Sequence, residues 1–132
     1  MSTHHFPVRI YYEDTDFSGY VYHAAYLKFF ERGRTEFLRD LGIHHIELIQ
    51  DGIAFAVRKM EIDFLGAAKI DDLLTVETKV AEATPVRLVL EQTILREDTA
   101  LTKARVMVVA IKTSGGPVRL PAALRARFQS ET

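Results

Sequence analysis

Cysteine is absent from this chain. That excludes disulfides, thiolate zinc sites and a cysteine nucleophile. There is no apolar run of about 18 residues or more, and no basic leader followed by an apolar segment, so neither membrane insertion nor export is expected and the expected compartment is the cytoplasm. Positive charge is not in excess either. Lys and Arg total 17 against 18 Asp and Glu, a formal net charge of −1, which argues against a nucleic-acid binder working through a broad basic face. No G-x-S-x-G elbow is present, so a Ser-His-Asp hydrolase is disfavoured. Internal repeats, low-complexity segments and interdomain linkers are also missing.

What remains is an ordinary globular composition, 48% hydrophobic and 27% charged over 132 residues, and residues 1–132 are expected to form one domain. Residues 6–12 alternate, with Val8, Ile10 and Tyr12 on one face, as a half-buried strand does. Residues 13–19 read as a polar turn. From about Val21 or Tyr22 the period becomes helical. Tyr26, Phe29, Phe30, Gly33, Phe37 and Leu41 form an apolar stripe, with Gly42 placed to end the helix. A short helix or turn over 44–50 follows. The period then becomes two, predicting strands over 54–64, 74–83, 87–96 and 101–113, the last three separated by short breaks at 83–85 and 97–99 that suit hairpins. Pro121 fits the first turn of a last helix reaching Phe128. Strand, long helix and then about four antiparallel strands make an α+β domain. One helix covers only one face of such a sheet, so the edges and the other face are expected to need a partner, as in a homo-oligomer.

Chemistry concentrates where the first strand passes into the first helix. Asp16 lies near the backbone N–H groups that open that helix, and a carboxylate facing such groups suits attack on a carbonyl. A turn-forming or capping aspartate is the plain alternative. Asp14 reads as a hydrogen-bonding turn residue and Glu13 as a solvated one. The main-chain N–H of His23 carries more of the argument than its imidazole, because any residue there supplies an N–H. Asp14, Asp16, His23 and Glu31 match no recognised metal-ligand spacing. His4-His5 and His44-His45 read as exposed polar pairs.

Arg9-Ile10, Thr15-Asp16, Gly19, Val21 and His23 resemble the signature of hot-dog-fold thioesterases of the 4-hydroxybenzoyl-CoA thioesterase type. A wider set of matches is similar to the Tol–Pal-associated acyl-CoA thioesterases: residues 12–16, 21–24, Tyr26, 29–36 and Val57-Arg58-Lys59-Met60. Phe17, Ser18 and Tyr20 depart from it, since relatives carry smaller residues there. The resemblance implies a sheet of about five strands wrapped around a central helix, in a homodimer or homotetramer with active sites between subunits. It implies catalysis by Asp16, with the N–H of His23 polarising the thioester carbonyl and its imidazole assisting. The helix start around Tyr22 and His23 is the expected oxyanion site, Val57 and Phe55 are expected to border the substrate cleft, and no metal or redox cofactor is implied.

A coenzyme A ester carries phosphates, for which Arg58 and Lys59 are the first cationic candidates, ahead of Arg87, Lys103, Arg105 and Lys112. The expected reaction is acyl-CoA hydrolysis. Cleavage of acyl-carrier-protein or aryl thioesters is the enzymatic alternative, and acyl binding or scaffolding in a cell-envelope complex the non-enzymatic one.

Overall fold

The computed structural model describes residues 2–132. In chain order the elements are β1 (His4–Arg9), α1 (Ala25–Asp40), α2 (His45–Gln50), β2 (Ile53–Phe64), β3 (Leu73–Ala83), β4 (Leu88–Arg96), β5 (Thr99–Lys112) and α3 (Ala122–Gln129). The strands make one antiparallel sheet in the order β1-β3-β4-β5-β2. The α+β class is therefore as expected.

Helix α1 lies on one face of the sheet because its stripe has nowhere else to go. Tyr26, Phe29, Phe30 and Phe37 are buried there together with Val8, Leu74, Val76, Leu90 and Val106. Each buried aromatic is worth roughly 1.5–3 kcal/mol. Gly33 sets how closely the helix approaches. A Cβ at that position would stand 2.7 Å from Val76 Cγ1 and 3.3 Å from Gln92 Nε2, so any side chain would push helix and sheet apart.

Two elements start or stop differently from the periodicity. β1 ends at Arg9 because Tyr12–Asp14 form a 3-10 turn, stapled by the Tyr11 N–H donating to Asp14 Oδ2 at 2.8 Å. α1 begins at Ala25 instead of Val21 or Tyr22. Val21 is held in an extended bridge with Thr15, and its N–H donates to the Ala68 carbonyl at 2.9 Å.

The outer face of the sheet, for which a partner was expected, is polar. It carries the ion pairs Lys79–Glu91 (3.7 Å), Arg105–Glu91 (3.1 Å), Arg87–Glu82 (3.0 Å) and Lys59–Glu61 (3.2 Å), and water satisfies such a face. The edges differ. β2 is a 12-residue edge strand with exposed Val57 and Phe64, so one long row of backbone groups lies unpaired.

β2 also breaks its own period. A register shift between Val57 and Lys59 leaves Arg58 as an extra residue. Val57 pairs with Val108 and Phe55 with Ala110, on the inner face, and beyond the bulge Met60 pairs with Val106 and Ile62 with Ala104, on that same face. Strict alternation from 54 to 64 had placed Phe55 and Val57 opposite Met60 and Ile62, and the bulge reverses that.

Candidate active site

A short hairpin carries Asp16. Thr15 bridges Val21, the Asp16 N–H donates to the Tyr20 carbonyl (3.0 Å), and the Gly19 N–H closes the turn on the Asp16 carbonyl (3.1 Å). Gly19 is in the left-handed region at φ 84, which glycine enters without penalty. The hairpin is docked on the loop before β3 through a Tyr20–Lys69 bridge. That loop is tied to α1 by the Ala68 N–H donating to the Tyr26 hydroxyl at 3.0 Å.

The carboxylate of Asp16 is aimed by its own turn. Oδ1 accepts the Ser18 N–H at 2.8 Å and also the Ser18 hydroxyl. These bonds, the hydroxyl first, hold the Asp16 carboxyl below the usual carboxylate range, with a further small pull from His23. Asp16 is fully exposed and does not line the cavity between α1 and the sheet. A junction site enclosed by this chain alone is therefore not what the subunit forms.

Across from the hairpin, the chain enters α1 through His23 and Ala24. Their two N–H groups have no acceptor among the described residues. The Tyr22 N–H is used, donating to the Asp14 carbonyl at 3.0 Å, and Ala25 and Tyr26 donate to the Tyr22 and His23 carbonyls. The free donors are thus His23 and Ala24, in the turn before the helix and not within it. The His23 ring lies between the Tyr22 ring (4.6 Å between centroids) and the Phe64 ring (6.1 Å). Phe64 brings the end of β2 to this spot.

The remaining candidates divide. Asp16, Tyr22 and His23 share the junction. Val57 lies further along β2 on the inner face, and Arg58 is exposed at the bulge. Lys59 is on the outer face beside Glu61, and Arg87 and Arg105 are engaged there by Glu82 and Glu91. One histidine is not the exposed pair member it resembled. His4 is largely buried, 2.8 Å from Asp40 Oδ2 and edge-on to Phe37, while His45 is exposed as expected, edge-on to Phe55. The buried Gln92 and its contact with Arg34 gave no sequence signal. A glutamine in a strand pattern carries no mark of its partner on a helix 58 residues away.

Among the described residues no helix is long and apolar enough to cross a membrane, and no group of three or more His, Asp or Glu is placed to hold a metal ion.

Residues 18–103 match the family model described as the thioesterase superfamily, beginning two residues past Asp16. The chain is 46% identical to the acyl-CoA thioesterase YbgC of Haemophilus influenzae over 125 residues, covering 93% of this chain and 92% of that protein. It is 41% identical to the acyl-CoA thioester hydrolase YbgC of Escherichia coli O157:H7, with 93% of each covered. Among solved structures, a probable thioesterase from Bartonella henselae superposes with a TM-score of 0.87 at 46% identity, covering 91% of this chain and all of that one.

Proposed function

The chain belongs to the thioesterase superfamily, and from that premise we infer that it hydrolyses acyl-CoA thioesters to a free carboxylic acid and coenzyme A, with Asp16 as the catalytic carboxylate. The observation that carries the assignment of roles is a juxtaposition. An ionised carboxylate fixed by Ser18 is within electrostatic reach of His23, whose N–H, like that of Ala24, has no acceptor among the described residues. The thioester carbonyl oxygen accepts from those amides as negative charge develops on it. The carbonyl carbon then faces Asp16.

Oδ1 is occupied by Ser18, which leaves Oδ2 for the reaction. A carboxyl held below its usual range is a poor proton acceptor at neutral pH, so direct attack suits it better than activation of water. Oδ2 bonds to the acyl carbon, the carbon–sulfur bond breaks, and the coenzyme leaves as thiolate. A thiol of pKa about 8.5 leaves without a strong acid. Water then cleaves the acyl–aspartyl anhydride, restoring the carboxylate and releasing the acid. The two protons of that water go to solvent and to the thiolate. No step calls on a group outside the chain and its substrate.

Asp16 needs a wall that its own subunit does not provide. The open edge of β2, with exposed Val57 and Phe64, supports a second copy docked along that strand, placing the site between subunits. Arg58, exposed at the bulge and in no ion pair among the described residues, is the leading contact for the coenzyme phosphates. The compartment this reading fits is the cytoplasm, where acyl-CoA is made and used.

Thiol release from a series of acyl-CoA esters tests the reading, with native and Asp16→Asn protein side by side. Turnover by the native protein that vanishes in the variant is expected. Tight acyl-CoA binding without Asp16-dependent turnover would point to a carrier or scaffold instead.

A further inference from the structure

Towards the far end of α1 a charge sits in an apolar setting. A cavity of about 410 Å³ lies between the helix and the inner face of the sheet, with Leu38, Phe55, Val57, Leu88, Leu90 and Val108 as its apolar wall. Its polar side is made by Glu31, Arg34, Thr35 and His45. Arg34 is partly buried, and its Nη1 donates to Gln92 Oε1 at 3.0 Å. Gln92 is buried and locked in turn, its Nε2 donating to the Phe30 carbonyl (3.0 Å) and to Thr78 Oγ1 (2.9 Å).

Arg34 takes part in none of the ion pairs among the described residues. Burial depresses its pKa, and the exposed carboxylate of Glu31, one turn earlier, only partly opposes that. A guanidinium has five N–H donors, of which Gln92 engages one nitrogen. Removing a charge from water without pairing it is costly. Thr35 and His45 add donors to the same wall, against the single carboxylate of Glu31. The cavity therefore has apolar sides for methylenes and a polar patch in which donors outnumber the one carboxylate, with Arg34 in no ion pair among the described residues.

We propose that Arg34 recognises a carboxylate at the distal end of the acyl group, so that CoA monothioesters of dicarboxylic acids are a preferred substrate class. The proposal rests on the thioesterase reading above. The planar fork of arginine matches a carboxylate in two parallel hydrogen bonds, and Gln92 holds that fork in place. Helix rise puts Arg34 about 14 Å along the axis from Ala25, roughly the reach of a ten-carbon chain.

The experiment compares matched esters: hexanoyl- with adipoyl-CoA, octanoyl- with suberoyl-CoA and decanoyl- with sebacoyl-CoA. The readout is kcat/KM for each pair in the native protein, Arg34→Met and Arg34→Lys. At least one dicarboxylic ester should exceed its partner by about tenfold in the native protein, the scale of one charge-assisted contact. Arg34→Met should abolish that ratio. Arg34→Lys, which keeps the charge and loses the fork, should retain part of it, and it serves alone if Arg34→Met fails to fold.

Calorimetric binding of sebacoyl- and decanoyl-CoA to Asp16→Asn protein reads the same preference without turnover. A purely structural Arg34 would lower both members of each pair together and leave the ratio unmoved. A native protein that cleaves simple esters but shows no dicarboxylic preference overturns the proposal and leaves the thioesterase reading intact. Hydrolysis of no ester at all overturns both.

Discussion

The hairpin leading to the start of α1 and the farther turns of that helix each hold a charged group, by opposite means. At the start, Asp16 takes its hydrogen bonds from Ser18, two residues on, and stays in solvent. Farther along, Arg34 leans on Gln92, 58 residues away, and Gln92 on Thr78 and Phe30. The first arrangement is made by one turn and survives small changes elsewhere. The second exists only once helix and sheet have closed on each other. Reactivity is thus kept where the fold has little at stake, and shape where it has much.

Exchanging one residue in each region sharpens the contrast. Asp16→Asn should lower kcat/KM about a thousandfold, within the range for loss of a catalytic acid–base or nucleophilic group. Its unfolding free energy should move by no more than about 0.5 kcal/mol, as for a surface change; a large loss of stability would show that Asp16 belongs to the fold. Gln92→Ala should do the reverse and lower unfolding free energy by about 3 kcal/mol in a denaturant titration. It strands the Arg34 guanidinium and the Thr78 hydroxyl in the interior and takes a second donor from the Phe30 carbonyl. A near-neutral Gln92→Ala would mean that the buried network is slack.

Smaller effects test the junction itself. His23→Ala keeps the main-chain N–H and should cost less than tenfold in kcat/KM. A loss exceeding that of Asp16→Asn would reverse the two roles. The smallest change concerns pH. Because Ser18 holds the Asp16 carboxyl below its ordinary range, the ionised form persists as pH falls, and the acid limb of activity should lie below the usual carboxylate range. Ser18→Ala removes the leading cause, so the limb should move to higher pH. An unmoved limb would assign it to another group.

Legibility in the sequence follows the same division. The apolar stripe of α1, the hairpins of the sheet and the turn around Asp16 are set by neighbours within a few residues, and all were readable. The start of α1 was placed too early because Val21 and Tyr22 fit a helical stripe. What holds Val21 extended is the Ala68 carbonyl, 47 residues on, beyond the reach of local pattern. His4 was read as exposed because nothing near it in sequence announces Asp40 or Phe37. The cavity was invisible for the same reason, since its walls come from α1, α2, β2, β4 and β5 together.

The extra residue at Arg58 has a further consequence. β2 is in effect two half-strands half a period out of phase: one sets Met60 and Ile62 beneath the early turns of α1, the other sets Phe55 and Val57 beneath its later turns. Pairing Arg58 into the ladder in regular register would turn the later half over and line the cavity floor with Ala54 and Ala56. A slip that alters no residue would then widen the cavity, so the bulge, as much as the composition of the strand, sets the shape of its floor.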